Sequence, residues 1–125
     1  MCIRDRPHAA VHQPLLASEA LADLTAALYN RELVKLKGKF ARNIRLGSAA
    51  HDYWSLTDGR LQVLSYRRMK PWDHAAGGLI HSEAGGYNRM LSGKPYAPAD
   101  KDQTGILCAP NQTVWDAVVT AQANA

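Results

Sequence analysis

The chain has 125 residues, 46% of them hydrophobic and 21% charged, which fits one ordinary globular domain with a modest core. No apolar run approaches the roughly 20 residues of a transmembrane helix, and no signal-peptide pattern opens the chain, so it reads as soluble and cytoplasmic, away from membranes. The net charge of +4 permits attraction to phosphate-bearing partners without selecting nucleic acid. Cys2 and Cys108, far apart in sequence, make neither a disulfide framework nor a zinc ligand set; Cys108 reads as a small core residue in an apolar strand.

In chain order, the opening MCIRDR does not read like the rest. Residues 1–6 are taken as a non-native leader and set aside, leaving 7–125 as one α/β domain. From Ser18 to about Lys37, Leu21, Leu24, Leu28 and Leu36 recur near helical spacing behind Ser18, which predicts an amphipathic helix with a serine N-cap. Its far end and the following segment carry Arg31, Lys35, Lys37, Lys39, Arg42 and Arg45 against Glu32. With few interleaved aromatics, these read as a solvated face rather than a nucleic-acid surface.

ARNIRL is a predicted short strand, and SAAHDYWSLTDG a helix from near Ser48 to Gly59. LQVLSYR is a strand of alternating pattern, followed by a helix from Trp72 to Ala84. GYNRML and GILCAP read as strands joined by the turn-rich SGKPYAPADKDQT, and Gln112 to Ala123 as a closing helix. The order predicts a layered α/β fold with a mixed or parallel sheet.

The helix from Trp72 raises a chemical question. Pro71 suits a helix start, so Asp73 falls in the first turn, while Trp72, Ala75, Ala76, Leu79 and Ile80 form one apolar stripe. A carboxylate there satisfies free N–H groups and complements the helix dipole. Gly77 and Gly78 weaken a helix by up to about 1 kcal/mol each, which suggests close approach by another element. His51, His74 and His81 show no i,i+4 pair or zinc spacing and read as surface or packing residues; Trp54, Trp72 and Trp115 read as core.

The stretch GSAAHDYWSLTDGRLQVLSYRRMKPWDHAAGGLIHSEAGG, Gly47 to Gly86, resembles the C-terminal half of the inositol monophosphatase family. WDHAAG and EAGG match its second motif, and the resemblance continues through SGKPY and GILCAPN to the final helix. It implies the C-terminal α/β domain of that fold, without its N-terminal domain. It also implies a Mg²⁺-dependent, lithium-sensitive phosphomonoesterase acting on a small phosphorylated substrate, and a homodimer. Hard Mg²⁺ ions held by carboxylates would clamp the phosphate and activate water. Asp73 matches the motif's metal-binding aspartate, and Gly47, Ser48 and Ala49 its substrate-contacting turn.

Two departures stand out. Where inositol-selective members carry a hydroxyl-binding glutamate, this sequence has Tyr66, followed by Arg67 and Arg68, which points away from myo-inositol phosphate toward another polyol, sugar or histidinol-type phosphate. The upstream glutamate and the D-P-(I/L)-D-G-T run that supply most metal ligands have no counterpart here, and TDGR at Thr57 does not replace them. The resemblance therefore predicts a C-terminal piece that contributes Asp73 and part of the substrate pocket and is inactive alone. The reading from another class is a basic non-catalytic α/β module that binds a phosphorylated ligand or nucleic acid.

Overall fold

The computed structural model describes residues 16, 18–67, 71–95 and 105–125, and for 71–73 the backbone alone. Five strands, β1 (Thr25–Leu28), β2 (Arg42–Asn43), β3 (Val63–Tyr66), β4 (Tyr87–Met90) and β5 (Ile106–Ala109), make one sheet ordered β2-β1-β3-β5-β4. β1 runs parallel to β2 and β3, and β5 runs antiparallel to β3 and β4. The sheet is therefore mixed, with β5 alone reversed. Its helices are α1 (Arg31–Val34), α2 (Ala49–Thr57), α3 (Pro71–Glu83) and α4 (Gln112–Ala123).

The period of two along each strand sorts the core onto two faces. Ala26, Leu28, Val63, Leu107 and Ala109 meet Leu33, Val114, Trp115 and Val118 on the α1/α4 side. Ala27, Leu64, Ile106 and Cys108 meet Tyr53 and Leu56 on the α2 side, where α3 packs against α2. The result is a helix–sheet–helix sandwich. Cys108 is fully buried and free, as its apolar strand implied.

The predicted helix from Ser18 to Lys37 is not formed. In its place stand a 3₁₀ turn at Leu21–Asp23, the strand β1, the single-turn α1 and a second 3₁₀ turn at Lys37–Lys39. The cause is tertiary: Ala26 and Ala27 are 0% exposed in a strand covered on both faces, where pairing with β2 and β3 overrides local helix preference. Ser18 caps no helix; its Oγ accepts from the Ala20 N–H and donates to Asp23. Asn30 caps α1 instead, accepting from the Glu32 N–H.

The helix from Ser48 to Gly59 forms as α2, and Gly59 closes it at φ +89°, a left-handed conformation that glycine adopts without cost. Ser48 occupies the N-cap position, yet its side chain makes no cap hydrogen bond. ARNIRL contracts to the two-residue edge strand β2, whose exposed Arg42 suits an edge. The predicted turn between β4 and β5 falls partly outside the described residues, as does the leader at residues 1–6.

α3 differs from its sequence reading in which side it buries. Leu79 is 61% and Ile80 47% exposed, whereas His74, Gly78, His81 and Ala84 face inward. Gly77 explains the reversal, because a Cβ there would come within 2.5 Å of the Tyr53 ring, so the glycine lets α2 and α3 approach. The buried histidines are held by polar partners. His81 Nδ1 donates to Asn88 Oδ1 at 2.6 Å, Asn88 donates on to the Gly78 carbonyl, and His74 Nδ1 lies 2.9 Å from the Tyr53 hydroxyl. Gly86 completes the arrangement, since the His81 ring fills the space its Cβ would need.

Candidate functional site

Parallel β1 and β3 bring their carboxyl ends to one edge of the sheet, and the start of antiparallel β5 lies beside them, with Tyr66 opposite Ile106. Crevices at such strand ends are where open α/β sheets bind ligands. His74, in the first turns of α3, meets Tyr66 with ring centroids 4.7 Å apart, which brings the start of that helix, with the Asp73 backbone, to this edge. The Asp73 and Trp72 side chains, and Arg68, lie outside the described residues.

An aromatic and acidic cluster organises the edge. The rings of Tyr29, just after β1, and Tyr66, the last residue of β3, stack at 4.7 Å and 6°. Both hydroxyls converge on Asp52 of α2. Tyr66 donates to Asp52 Oδ2 in a short hydrogen bond, and Tyr29 donates to Oδ1 at 3.4 Å. The Tyr29 hydroxyl also accepts from the N–H groups of Leu46 and Gly47, at 3.1 and 3.3 Å. Tyr29 thus ties the Gly47 turn, where φ is +76°, to the strand ends.

The electrostatics follow from burial. Asp52 is 0% exposed, and that desolvation raises its carboxyl above the ordinary range, opposed by the hydrogen bonds from Tyr66 and Tyr29. Burial, then the Asp52 carboxylate beside it, hold the Tyr66 phenol far above its usual value. Tyr29 is also raised, chiefly by burial. Both phenols stay protonated and serve as donors, so this carboxylate is occupied. Among the described residues no three His, Cys, Asp or Glu side chains come together as a metal-holding group. The described donor set does not fit a complete Mg²⁺ site by itself.

Two cavities flank the cluster. One, of about 390 Å³, lies between α2 and α3 and is lined in part by Ser48, Ala49, Tyr53, Trp54, Gly77 and Ile80. The other, of about 620 Å³, is lined by Tyr29, Arg31, Glu32, Arg45, Tyr66 and Arg67. The expected substrate-contacting residues are therefore split: Ser48 and Ala49 border the first cavity and Tyr66 the second, while Gly47 joins Tyr66 through Tyr29. Trp54, read from sequence as core, is 63% exposed at the rim of the first cavity; Trp115 is buried as expected.

Sequence reading missed Tyr29, which lay inside the mistaken helix, and the role of Asp52. The Asp52 signal was present: with Tyr53 and Leu56 it lies on the buried side of α2, and a carboxylate there needs partners.

These features define a three-layer α/β domain with a ligand edge at the carboxyl ends of parallel strands. The sequence pattern described as "Inositol monophosphatase family" matches residues 6–125, and the chain belongs to that family. Phosphatase IMPL1, chloroplastic, of Arabidopsis thaliana is 38% identical over 82 residues, covering 62% of this chain and 22% of the relative. The Inositol-1-monophosphatase of Bacillus subtilis is 36% identical over 50 residues, covering 40% and 19%. Among solved structures, extragenic suppressor protein suhB from Bartonella henselae superposes with a TM-score of 0.72 at 25% identity, covering 87% of this chain and 46% of that one. A Pyrococcus horikoshii protein with similarities for inositol-1 monophosphatase gives a TM-score of 0.73 at 23% identity, covering 88% and 45%, a likeness of fold. The chain thus spans under half the length of these relatives.

Proposed function

We propose that the whole protein is a Mg²⁺-dependent phosphomonoesterase acting on a small polyol, sugar or histidinol-type phosphate, cytoplasmic and homodimeric, and that this chain supplies one metal ligand and part of the substrate pocket. The observation that carries the reading is the convergence of the Gly47 turn, the ends of β1 and β3, and the start of α3 at one edge. The names of the relatives, a phosphatase and an inositol-1-monophosphatase, support the reaction class.

In this reading Asp73, in the first turn of α3, would be one carboxylate ligand of Mg²⁺, and the ion would supply polarisation of the phosphate oxygens. The Gly47–Ala49 turn offers close backbone approach to the alcohol part of the substrate, and Tyr29 positions that turn through the Leu46 and Gly47 N–H groups. The test is Mg²⁺-dependent phosphate release by the whole protein. Asp73→Asn, which keeps side-chain shape and capping capacity but removes the anion, should lower kcat by about 100-fold or more, and the 125-residue chain alone should show no turnover. Near-normal kcat in the Asp73→Asn variant would overturn the ligand assignment, and metal-dependent turnover by the chain alone would show that it needs no other half. Clear preference for myo-inositol 1-phosphate in kcat/KM would remove the specificity assigned to Tyr66.

A further inference from the structure

The cavity beside Tyr66 has a lining that phosphomonoester hydrolysis leaves unexplained: three guanidinium groups, from Arg31, Arg45 and Arg67, against the single carboxylate of Glu32, with Tyr29 and Tyr66 completing the wall. The two rings offer little stacking surface. Tyr29 already carries Tyr66 at 4.7 Å and the Arg45 guanidinium at 4.5 Å. Tyr66 carries the edge of His74 at 4.7 Å as well, and its hydroxyl hydrogen is committed to Asp52. A flat base has no open ring face to rest on, and the lining sets three guanidinium groups against one carboxylate, so its charge favours an anion over a neutral polyol.

Guanidinium groups are donors only, and their planar fork matches carboxylate and phosphate oxygens. One such contact lies within this lining. Glu32 lies 3.8 Å from Arg67, with both side chains about half exposed, a loose and solvated pair of little net strength that a ligand anion can replace.

We infer that this cavity binds a second anionic group, a carboxylate or a phosphate, carried on the alcohol part of the substrate. The inference rests on the phosphatase reading for the orientation of the substrate, with its scissile phosphate toward α3. Arg31 and Arg67 donate to the second anion, Arg45 is held over Tyr29 as the third positive charge, and Glu32 competes with the ligand.

The test is calorimetric binding to the whole protein in excess chelator, so that no turnover occurs. Glycerol 2-phosphate and 2-phosphoglycerate differ by a hydroxymethyl against a carboxylate; propyl phosphate and propane-1,3-diyl bisphosphate form the phosphate arm. The doubly anionic member of at least one pair should bind about tenfold more tightly, and the tighter arm identifies the group. Arg31→Ala with Arg67→Ala should abolish that preference while leaving the singly charged probes unchanged, and Glu32→Gln should increase it. Equal affinity within both pairs, or a preference that survives the double arginine variant, would overturn the inference. Because chelated binding is independent of turnover, a lost preference with intact Mg²⁺-dependent hydrolysis refutes this site alone, and a retained preference without hydrolysis refutes the phosphatase reading alone.

Discussion

The two faces of the sheet are covered by helices of opposite character. α4 buries Val114, Trp115 and Val118 and turns Gln112, Thr113, Asp116 and Thr120 outward, apolar side inward and polar side outward. On the other side α3 buries His74 and His81 and leaves Leu79 and Ile80 exposed, and the exposed Trp54 of α2 lines the same cavity as Ile80. Buried histidines together with exposed Leu79 and Ile80 depart from the usual arrangement of a surface helix. The α4 layer has the character of a finished surface, whereas the α2/α3 layer has a polar inner seam, built around buried side-chain hydrogen bonds, and an apolar outer side. An exposed apolar patch of this kind is a site of association.

The two layers differ most in what a tryptophan contributes to stability. Trp115→Ala removes a buried ring whose Nε1–H donates to the Leu107 carbonyl at 2.9 Å, and it should lower unfolding free energy by about 3–5 kcal/mol in urea denaturation. If it costs little, the α4 face is not the tightly packed side.

The polar seam predicts a pH dependence. Burial, against the opposing hydrogen bond to Asn88, lowers His81 from its ordinary 6.5 to about 4. A depressed histidine gives stability that is fully present above the unfolded value and is lost as pH falls, because the unfolded chain takes up the proton first. Between pH 6.5 and 4 the loss should reach about 3 kcal/mol. Asp52, raised by burial, acts with the opposite sign: its contribution is present at the lowest pH and is lost as pH rises through its folded value. The measurement is therefore the difference in slope between wild type and His81→Gln, which should lack the histidine component. Identical slopes would show that His81 is not held neutral.

Neighbouring glycines of α3 sharpen the same contrast. Gly77→Ala drives a Cβ to 2.5 Å from the Tyr53 ring and should cost about 1–3 kcal/mol. Gly78→Ala meets only Asn88 Nδ2 at 4.0 Å and should stabilise by up to about 1 kcal/mol through helix propensity. Thermal melts of the pair test this; equal shifts would place the close approach elsewhere. The smallest stability effect belongs to the outer patch. Trp54→Ser and Leu79→Lys should leave stability within about 0.5 kcal/mol but reduce self-association and hydrophobic-dye binding of the isolated chain. A large drop in stability would mean that these side chains are buried in solution.

Much of this architecture was legible in the residues. The alternation in LQVLSYR and the glycine after SAAHDYWSLTD marked β3 and the end of α2, and the closing helix expected from Gln112 to Ala123 is α4. Local chemistry suffices where a periodic apolar face meets the core and a cap or glycine stops the element. The resemblance carried by WDHAAG and EAGG was similarly legible, because it depends on residue identity at fixed spacing.

The tertiary structure decided the rest. Leucines at helical spacing between Ser18 and Lys37 could not reveal that Ala26 and Ala27 lie in a strand covered on both faces, since sheet pairing depends on residues near Val63 and Arg42. The inward turn of His74 and His81 depends on Tyr53 and Asn88, partners contributed by other elements. The Tyr29–Asp52–Tyr66 cluster joins three elements 14 to 23 residues apart along the chain. Sequence determined which residue types were available and where regular elements could start and stop; which side of an element faces its neighbours is set by contacts between distant segments, and those exist only once the chain has folded.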